Sequence, residues 1–198
     1  MIRWPTKPLG EVCVINPKLS VAEMPTADTD VSFVPMAGID EIRGNITRPE
    51  ICKYSQVSKG YTPFRDNDVL FAKITPCMEN GKAAIARGLC GGLGFGSTEF
   101  HVIRPSATLL PDWIFAFIRQ ASFRKAAKAN FTGTAGQQRV PTNFLKTLTI
   151  PISPIPLQQQ FAARVSEIRA MENSQALNRE KLDALFQSLL DRAFNGEL

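Results

Sequence analysis

From Pro156 to Phe194 the chain reads PLQQQFAARVSEIRAMENSQALNREKLDALFQSLLDRAF, with no interior proline or glycine. Prolines at 151, 154 and 156 hold the preceding chain extended, and Gly196 stands where a helix stop is expected. A helix over that span is roughly 58 Å long at 1.5 Å per residue. A small domain cannot cover such a length, so the helix must find much of its apolar contact elsewhere.

The apolar positions of this segment follow a heptad. Phe161, Ile168, Gln175, Leu182 and Leu189 occupy one seam position, and Val165, Glu172, Arg179, Phe186 and Ala193 the other. The ends of the seam are apolar and its middle is polar. An antiparallel pair with its two-fold axis beside Gln175 sets Phe161 near Leu189 of the other helix, Val165 near Phe186, Ile168 near Leu182, and Glu172 opposite Arg179. A parallel pair would stack Glu172 on Glu172 and Arg179 on Arg179, which costs stability. The pattern therefore predicts half of an antiparallel coiled coil. A lone amphipathic helix folded back on its own domain is the alternative.

The remainder of the 198 residues has an ordinary globular composition, 44% hydrophobic and 21% charged, and suits one domain with an appended helix. We expect a domain over 1–152 and a helical region over 153–198. Charge is placed unevenly: residues 1–150 carry 18 Lys and Arg against 12 Asp and Glu, and residues 151–198 carry 5 against 6. A basic domain on a near-neutral helix suits a polyanion for the former and a protein for the latter. Cys13, Cys52, Cys77 and Cys90 show no C-x-x-C spacing and have only His101 to complement them, so no zinc site is expected. With no apolar leader and no membrane-length apolar run, the default is a reducing cytoplasm with the cysteines as small buried hydrophobes.

Along the chain, strands are expected over Glu11–Ile15, Val31–Met36, Val69–Ile74, Lys82–Ala86, Phe100–Arg104 and Leu148–Ile152, with an extended region at Tyr61–Pro63. Val69–Ile74 and Lys82–Ala86 read as a hairpin around the turn Met78-Glu79-Asn80-Gly81, with Lys73, Asn80 and Lys82 near its tip. Pro111–Asn130 has the period of one helix, and Phe131–Leu145 reads as loop. The fold class is α+β: a mixed, β-rich domain followed by one long helix.

No catalytic constellation is legible. G-x-x-x-x-G-K-[ST] and G-x-S-x-G are absent, and Asp66 and Asp68 read as turn formers. His101, inside a strand, is expected to pack or face solvent. The Gly-rich Gly88–Gly96 segment leads through Ser97-Thr98-Glu99 into a strand rather than a helix, a poor match to a dinucleotide loop. Nucleic-acid chemistry is easier to place. Thr132, Gly133, Thr134, Gln137, Gln138 and Arg139 supply hydroxyls, glycine N–H groups, two carboxamides and a guanidinium within one short stretch. Gln can bind adenine bidentately, Arg guanine, and Thr and backbone N–H groups phosphate. Lys73, Thr75, Asn80, Lys82 and Thr98 complete the candidate DNA-binding set.

Several segments, taken together, resemble a known family. They are Trp4-Pro5 and Lys7-Pro8-Leu9-Gly10-Glu11-Val12, FVPMAGID, DVLFAKITPCMENGKAAIA, GSTEFHVIRP, FTGTAGQQRVPTNFLKTLTIP, Leu157-Gln158-Gln159-Gln160, and the terminal Phe194-Asn195-Gly196-Glu197-Leu198. In this order they are similar to the specificity subunit of type I restriction-modification systems. The resemblance implies a target recognition domain that reads one half of a split DNA sequence, and a helix that pairs antiparallel with that of a second such half. It implies no catalysis and no cofactor in this chain. Methylation and cleavage would belong to separate modification and restriction subunits, which use S-adenosylmethionine and ATP. The family commonly has two domain-plus-helix halves where this chain has one, so it resembles either a natural half-subunit or one half of a longer subunit. The family often has an acidic residue in its P-L-x-x-Q helix start; here the residues are Gln158-Gln159-Gln160. From other classes, a nucleotide-binding enzyme using Gly88–Gly96 and a coiled-coil scaffold without DNA affinity are the alternatives.

Overall fold

A computed structural model describes residues 4–47, 49–134 and 136–197. It separates a unit ending at Gln158 from one beginning at Gln159.

The first unit is organised around strand β6 (Val69–Ala72), whose four side chains are all buried. Alternation along a strand sends neighbours to opposite faces, and here both faces are covered. That is why the sequence of this strand alternates imperfectly. β6 lies in a four-stranded antiparallel sheet ordered β2 (Cys13–Ile15), β9 (Phe100–Pro105), β6, β7 (Ala83–Ile85). Val69 and Phe71, with Ile85 and Ile103, pack into one core with Ile114, Ile118, Phe123 and Leu145. The last four come from three helices, α3 (Pro111–Ile118), α4 (Ala121–Ala129) and α5 (Thr142–Thr147). On the other face Leu70, Ala84, Phe100 and Val102 meet Val34, Ile39 and Phe64 of a second core.

The second sheet is ordered β4 (Glu50–Lys53), β3 (Asp30–Val34), β8 (Leu93–Gly96), β5 (Thr62–Arg65), with β3 and β8 parallel. A two-stranded closure joins the ends of the domain: β1 (Thr6–Pro8) pairs antiparallel with β10 (Thr149–Pro151). Between β1 and β2 lies the single helical turn α1 (Leu9–Val12), and α2 (Tyr54–Val57) follows β4.

Several expectations are corrected. Glu11–Ile15 is not one strand, because Leu9–Val12 is helical with Leu9 and Val12 buried. Pro111–Asn130 is two helices: Gln120 is extended (φ −65°, ψ 143°), and the break lets Phe123 meet Phe71, Phe117 and Phe144 at ring separations of 5.3, 5.9 and 6.1 Å. Thr142–Thr147, expected as loop, is helix α5. Leu93–Gly96, expected as part of a glycine-rich connection, is strand β8. There a Cβ at Gly94 would run into the Phe64 ring, and one at Gly96 would lie 2.5 Å from the Val34 carbonyl oxygen. Only glycine fits at these two positions, so the glycines serve sheet packing. Of the four free cysteines only Cys13 is buried, and burial pushes its thiol up to about 12.

The long helix α6 spans Ile155–Phe194. Its end is closed by Gly196 (φ +73°), with the Glu197 N–H donating to the Arg192 carbonyl at 2.8 Å and the Gly196 N–H to that of Ala193 at 3.4 Å, the Schellman arrangement. Within the single chain Ile168, Leu182, Phe186 and Leu189 are exposed, and Phe161 and Val165 half-buried; Glu172, Gln175 and Arg179 are exposed. The first turn is different. Gln158 is fully buried, its Oε1 accepting from the Leu110 N–H at 2.8 Å while its Nε2 donates to the carbonyls of Ser153 at 2.7 Å and Thr108 at 3.0 Å. One carboxamide thus meets three backbone groups that would otherwise need other partners. Gln158→Ala is expected to lower unfolding stability by about 3 kcal/mol, read from urea midpoints, because it strands those donors and acceptors. Gln159→Ala, at an exposed neighbour, should leave the midpoint where it is.

Candidate nucleic-acid interface

The candidate residues arrive from three separate parts of the chain. After β6, Lys73 to Thr75 continues as an extended strip. On one side the Lys73 N–H donates to the Glu99 carbonyl at 2.9 Å; on the other, the Val140 N–H donates to the Lys73 carbonyl at 2.9 Å and the Thr75 N–H to that of Gln138 at 3.0 Å. Residues 132–139 fold as a small hairpin, closed by reciprocal bonds between Thr132 and Arg139 at 3.0 and 2.9 Å. Thr132, Gly133, Thr134 and Gln137 are exposed and Gln138 half-buried; Ala135 lies outside the described residues. Thr98, exposed, stands beside Glu99. Thus Lys73, Thr75, Glu99 and the 132–139 hairpin belong to one hydrogen-bonded assembly, with Thr98 next to Glu99 in the chain.

Arg139 is part of the scaffold of that assembly. Its Nε and Nη2 reach the Glu99 carboxylate at 2.8–3.1 Å, and its Nη1 donates to the Gln137 carbonyl at 2.9 Å. The guanidinium holds the Glu99 carboxyl below its ordinary range. Thr75 likewise donates inward, from Oγ1 to Glu79 at 3.0 Å, and Glu79 also pairs with Lys128 at 2.5 Å.

Lys73 and Lys82 are not at a hairpin tip. The Ala72 N–H donates to the Lys82 carbonyl at 3.0 Å, so the two lysines flank the base of the 73–82 connection, which Met78 anchors by complete burial. The Lys82 ammonium donates to the Met36 carbonyl at 3.2 Å. Asn80 is exposed, its carboxamide 3.3 Å from the Glu41 carboxylate.

Sequence reasoning missed what holds the hairpin from beneath. His101, within β9, is buried; its Nε2 donates to the Val140 carbonyl at 2.8 Å, and its Nδ1 accepts from the Asn16 carboxamide at 3.1 Å. Asn16 takes a left-handed backbone (φ 53°) and also accepts the Val102 N–H at 2.9 Å. Nothing in the sequence separates this histidine from any other strand residue, since its partners lie 39 and 85 positions away.

The Gly88–Gly96 segment does not form a phosphate cradle. Cys90 to Leu93 line a cavity of about 300 Å³ together with Glu23, Asp30 and Arg65. Arg65 is paired with Glu23 at 2.7 Å, and hydrogen bonds from Ser20 hold the Glu23 carboxyl below its ordinary range. A phosphate there would face carboxylates. Among the described residues no group of three or more His, Cys, Asp or Glu could hold a metal ion, and no helix is long and apolar enough to cross a membrane.

With that geometry in place, comparison with known proteins is decisive at the level of family. Residues 1–184 match the family model described as the type I restriction modification DNA specificity domain. The chain belongs to this family. Among its curated relatives are the specificity subunits of two Escherichia coli type I restriction enzymes, EcoEI, 40% identical over 166 residues, and EcoAI, 36% identical over 169. The matches take in 83% and 85% of this chain but only 27% and 28% of those subunits. The specificity-domain fold is also seen in two solved chains, each at TM-score 0.66 and 24% identity. One is the HsdS subunit from Thermoanaerobacter tengcongensis, and the other comes from work on complex assembly and conformational transition of the type I R-M system. This chain is covered to 91% and 92%, and each of them to 45%.

Within this specificity-domain chain, burial holds the His101 pKa below the ordinary 6.5. The folded state therefore takes up a proton less readily than the unfolded one. Its stabilising contribution is complete above about pH 6.5 and is lost as pH falls below that value toward the lowered folded pKa. The urea midpoint should accordingly drop between about pH 7.5 and about pH 5.5, and His101→Asn should flatten the drop. An unchanged slope in the variant would assign the acid sensitivity elsewhere. The carboxylates Glu23, Asp40, Glu79 and Glu99 are all held low and titrate only below their ordinary values of 4.5 and 3.8.

Proposed function

We propose that this chain is a sequence-specific duplex-DNA-binding module of a type I restriction-modification complex. It reads one half of a bipartite target and, without catalysis or cofactor of its own, docks modification and restriction subunits in the cytoplasm. The observation that carries the reading is the joining of the 132–139 hairpin to the Lys73–Thr75 strip in a chain of the DNA specificity family. That joining brings segments carrying hydroxyls, carboxamides and a lysine into one hydrogen-bonded part of the fold, which supports the reading. Thr132, Gly133, Thr134, Gln137 and Gln138 are the base- and phosphate-reading groups, with Lys73 and Thr98 at their margin. Arg139 and Thr75 shape the surface from within.

The α6 seam supports a second element of the proposal, antiparallel pairing with the helix of another half-subunit. Phe161, Val165, Ile168, Leu182, Phe186 and Leu189 form its apolar ends, with Glu172, Gln175 and Arg179 about the two-fold axis. Exposed Ile168, Leu182, Phe186 and Leu189 need a partner to leave water.

Binding to duplex DNA is expected to weaken steeply with salt, because lysines on phosphates release counterions. Gln138→Ala should reduce discrimination between sequences by about 1–3 kcal/mol, whereas Lys73→Ala should weaken all sequences alike and lower the salt slope by about one phosphate's worth. Fluorescence anisotropy across a salt series separates the two, and unchanged binding in both variants would move the interface off this surface.

For the helix, Arg179→Glu should weaken self-association modestly and the added Glu172→Arg should recover much of the loss, as an exposed pair contributes about 0.2–1 kcal/mol. Phe186→Ala should cost more, about 3 kcal/mol per buried site. Sedimentation equilibrium at low salt reads all three. A monomer throughout would refute the pairing, and a double variant no tighter than Arg179→Glu would refute its antiparallel sense.

A further inference from the structure

The loop from Asp40 to Asn45 lies outside the assembly described above, yet most of its polar backbone groups are used to hold its shape. The Asp40 carboxylate accepts the N–H groups of Ile42 at 2.7 Å and Arg43 at 2.9 Å. The Gly44 N–H donates to the Asp40 carbonyl at 2.9 Å, and the Asp40 N–H to that of Asn45 at 3.0 Å. From the end of α3, Arg119 Nη1 donates to the Glu41 carbonyl at 2.6 Å and Nη2 to that of Ile42 at 2.6 Å. Gly44 (φ +67°) closes the loop against Phe115, whose Cζ would lie 2.5 Å from any added Cβ.

What this rigid frame displays at its tip is a bare aliphatic side chain beside a cation. Ile42 is 83% exposed, and Arg43 is exposed. Scattered surface aliphatics are ordinary. One held on a loop whose backbone is locked from both sides differs, because a pre-ordered loop loses little conformational freedom when it binds.

The loop is also tied to the proposed interface. The Arg119 Nη1 that grips Glu41 donates at 2.7 Å to the carbonyl of Gly81, between Asn80 and Lys82. One guanidinium thus joins the Asp40–Asn45 loop to the connection whose other end carries Lys73 and Thr75.

We propose that this loop is a second DNA-reading element, in which Ile42 makes an apolar contact with a base edge and Arg43 holds the adjoining phosphate. This rests on the DNA-binding reading above. In the major groove the apolar feature of a base pair is the thymine methyl, so the position read by Ile42 is an A·T pair. Arg119 is a positioning residue.

The test is selection from a pool of random duplexes by the 198-residue chain and by Ile42→Ala, Arg43→Ala and Gln138→Ala. The Ile42 and Arg43 side chains are exposed, so thermal melts of those two variants should match that of the parent. Ile42→Ala is expected to lose the preference at one A·T position and about tenfold in affinity for the parent's selected motif, the order of one base contact. Deoxyuridine in place of that thymine should weaken the parent and leave Ile42→Ala unaffected. Arg43→Ala should weaken every sequence without changing the motif. If Gln138→Ala relaxes the motif while Ile42→Ala selects the parent motif at parent affinity, the DNA reading stands and this inference fails. Ile42→Ala that keeps DNA selection but loses association with modification or restriction subunits would make the loop a protein-docking element and overturn the inference. A parent chain that selects no motif overturns the DNA reading and this inference with it.

Discussion

A single carboxamide anchors the first turn of the long helix. Gln158 sits where a glutamine would ordinarily be solvated, and is instead fully enclosed, with the Ser153, Thr108 and Leu110 backbone as its partners. Leu110 is the N-cap residue of α3. The same carboxamide therefore fixes the start of two helices, and a donor and an acceptor are both needed, since one backbone N–H and two carbonyls must be met. A glutamate at 158 could accept but not donate to the two carbonyls.

From α3 the dependence passes outward. Its inner face, Ile114 and Ile118, packs on the β2-β9-β6-β7 sheet, and the residue after its last turn, Arg119, reaches the carbonyls of Glu41, Ile42 and Gly81. Beneath the 132–139 hairpin a second buried polar group, His101, performs a comparable task through Val140. Both surfaces proposed to meet DNA are thus held by buried or half-buried side chains that bond to the protein itself. Rigid support of this kind is what would let the proposed hydroxyls, carboxamides and isoleucine discriminate rather than merely adhere.

Two of the three cations that sequence reasoning favoured illustrate how composition and geometry diverge. Arg139 has the right chemistry to read guanine, but its fork is taken by Glu99, 40 positions earlier in the chain. Lys82 is half-buried, bonded to the Met36 carbonyl rather than displayed at a tip. A guanidinium in a polar loop looks the same in sequence whether its carboxylate is bound beside it or absent, because the pairing exists only after β9 and the hairpin meet.

Local pattern was enough for α6 and its Gly196 stop, for β6 and β7, and for the α+β class, since each depends on residues within a few positions: heptad spacing, alternation, and proline or glycine at the ends. It was also enough to single out the 132–139 segment as polar and rich in nucleic-acid chemistry. It was not enough for β8, where Gly94 and Gly96 are required by Phe64 and Val34, nor for the break between α3 and α4, which seats Phe123 among three rings. The sequence by itself determined the long helix and most of the strands, and that the α6 seam is apolar at both ends and polar between. Only the tertiary structure decided which polar side chains are scaffold and which are displayed. Gln158, His101 and Arg139 are consumed by partners 39 or more positions away as well as nearer ones, and such pairings arise from packing rather than from any spacing along the chain.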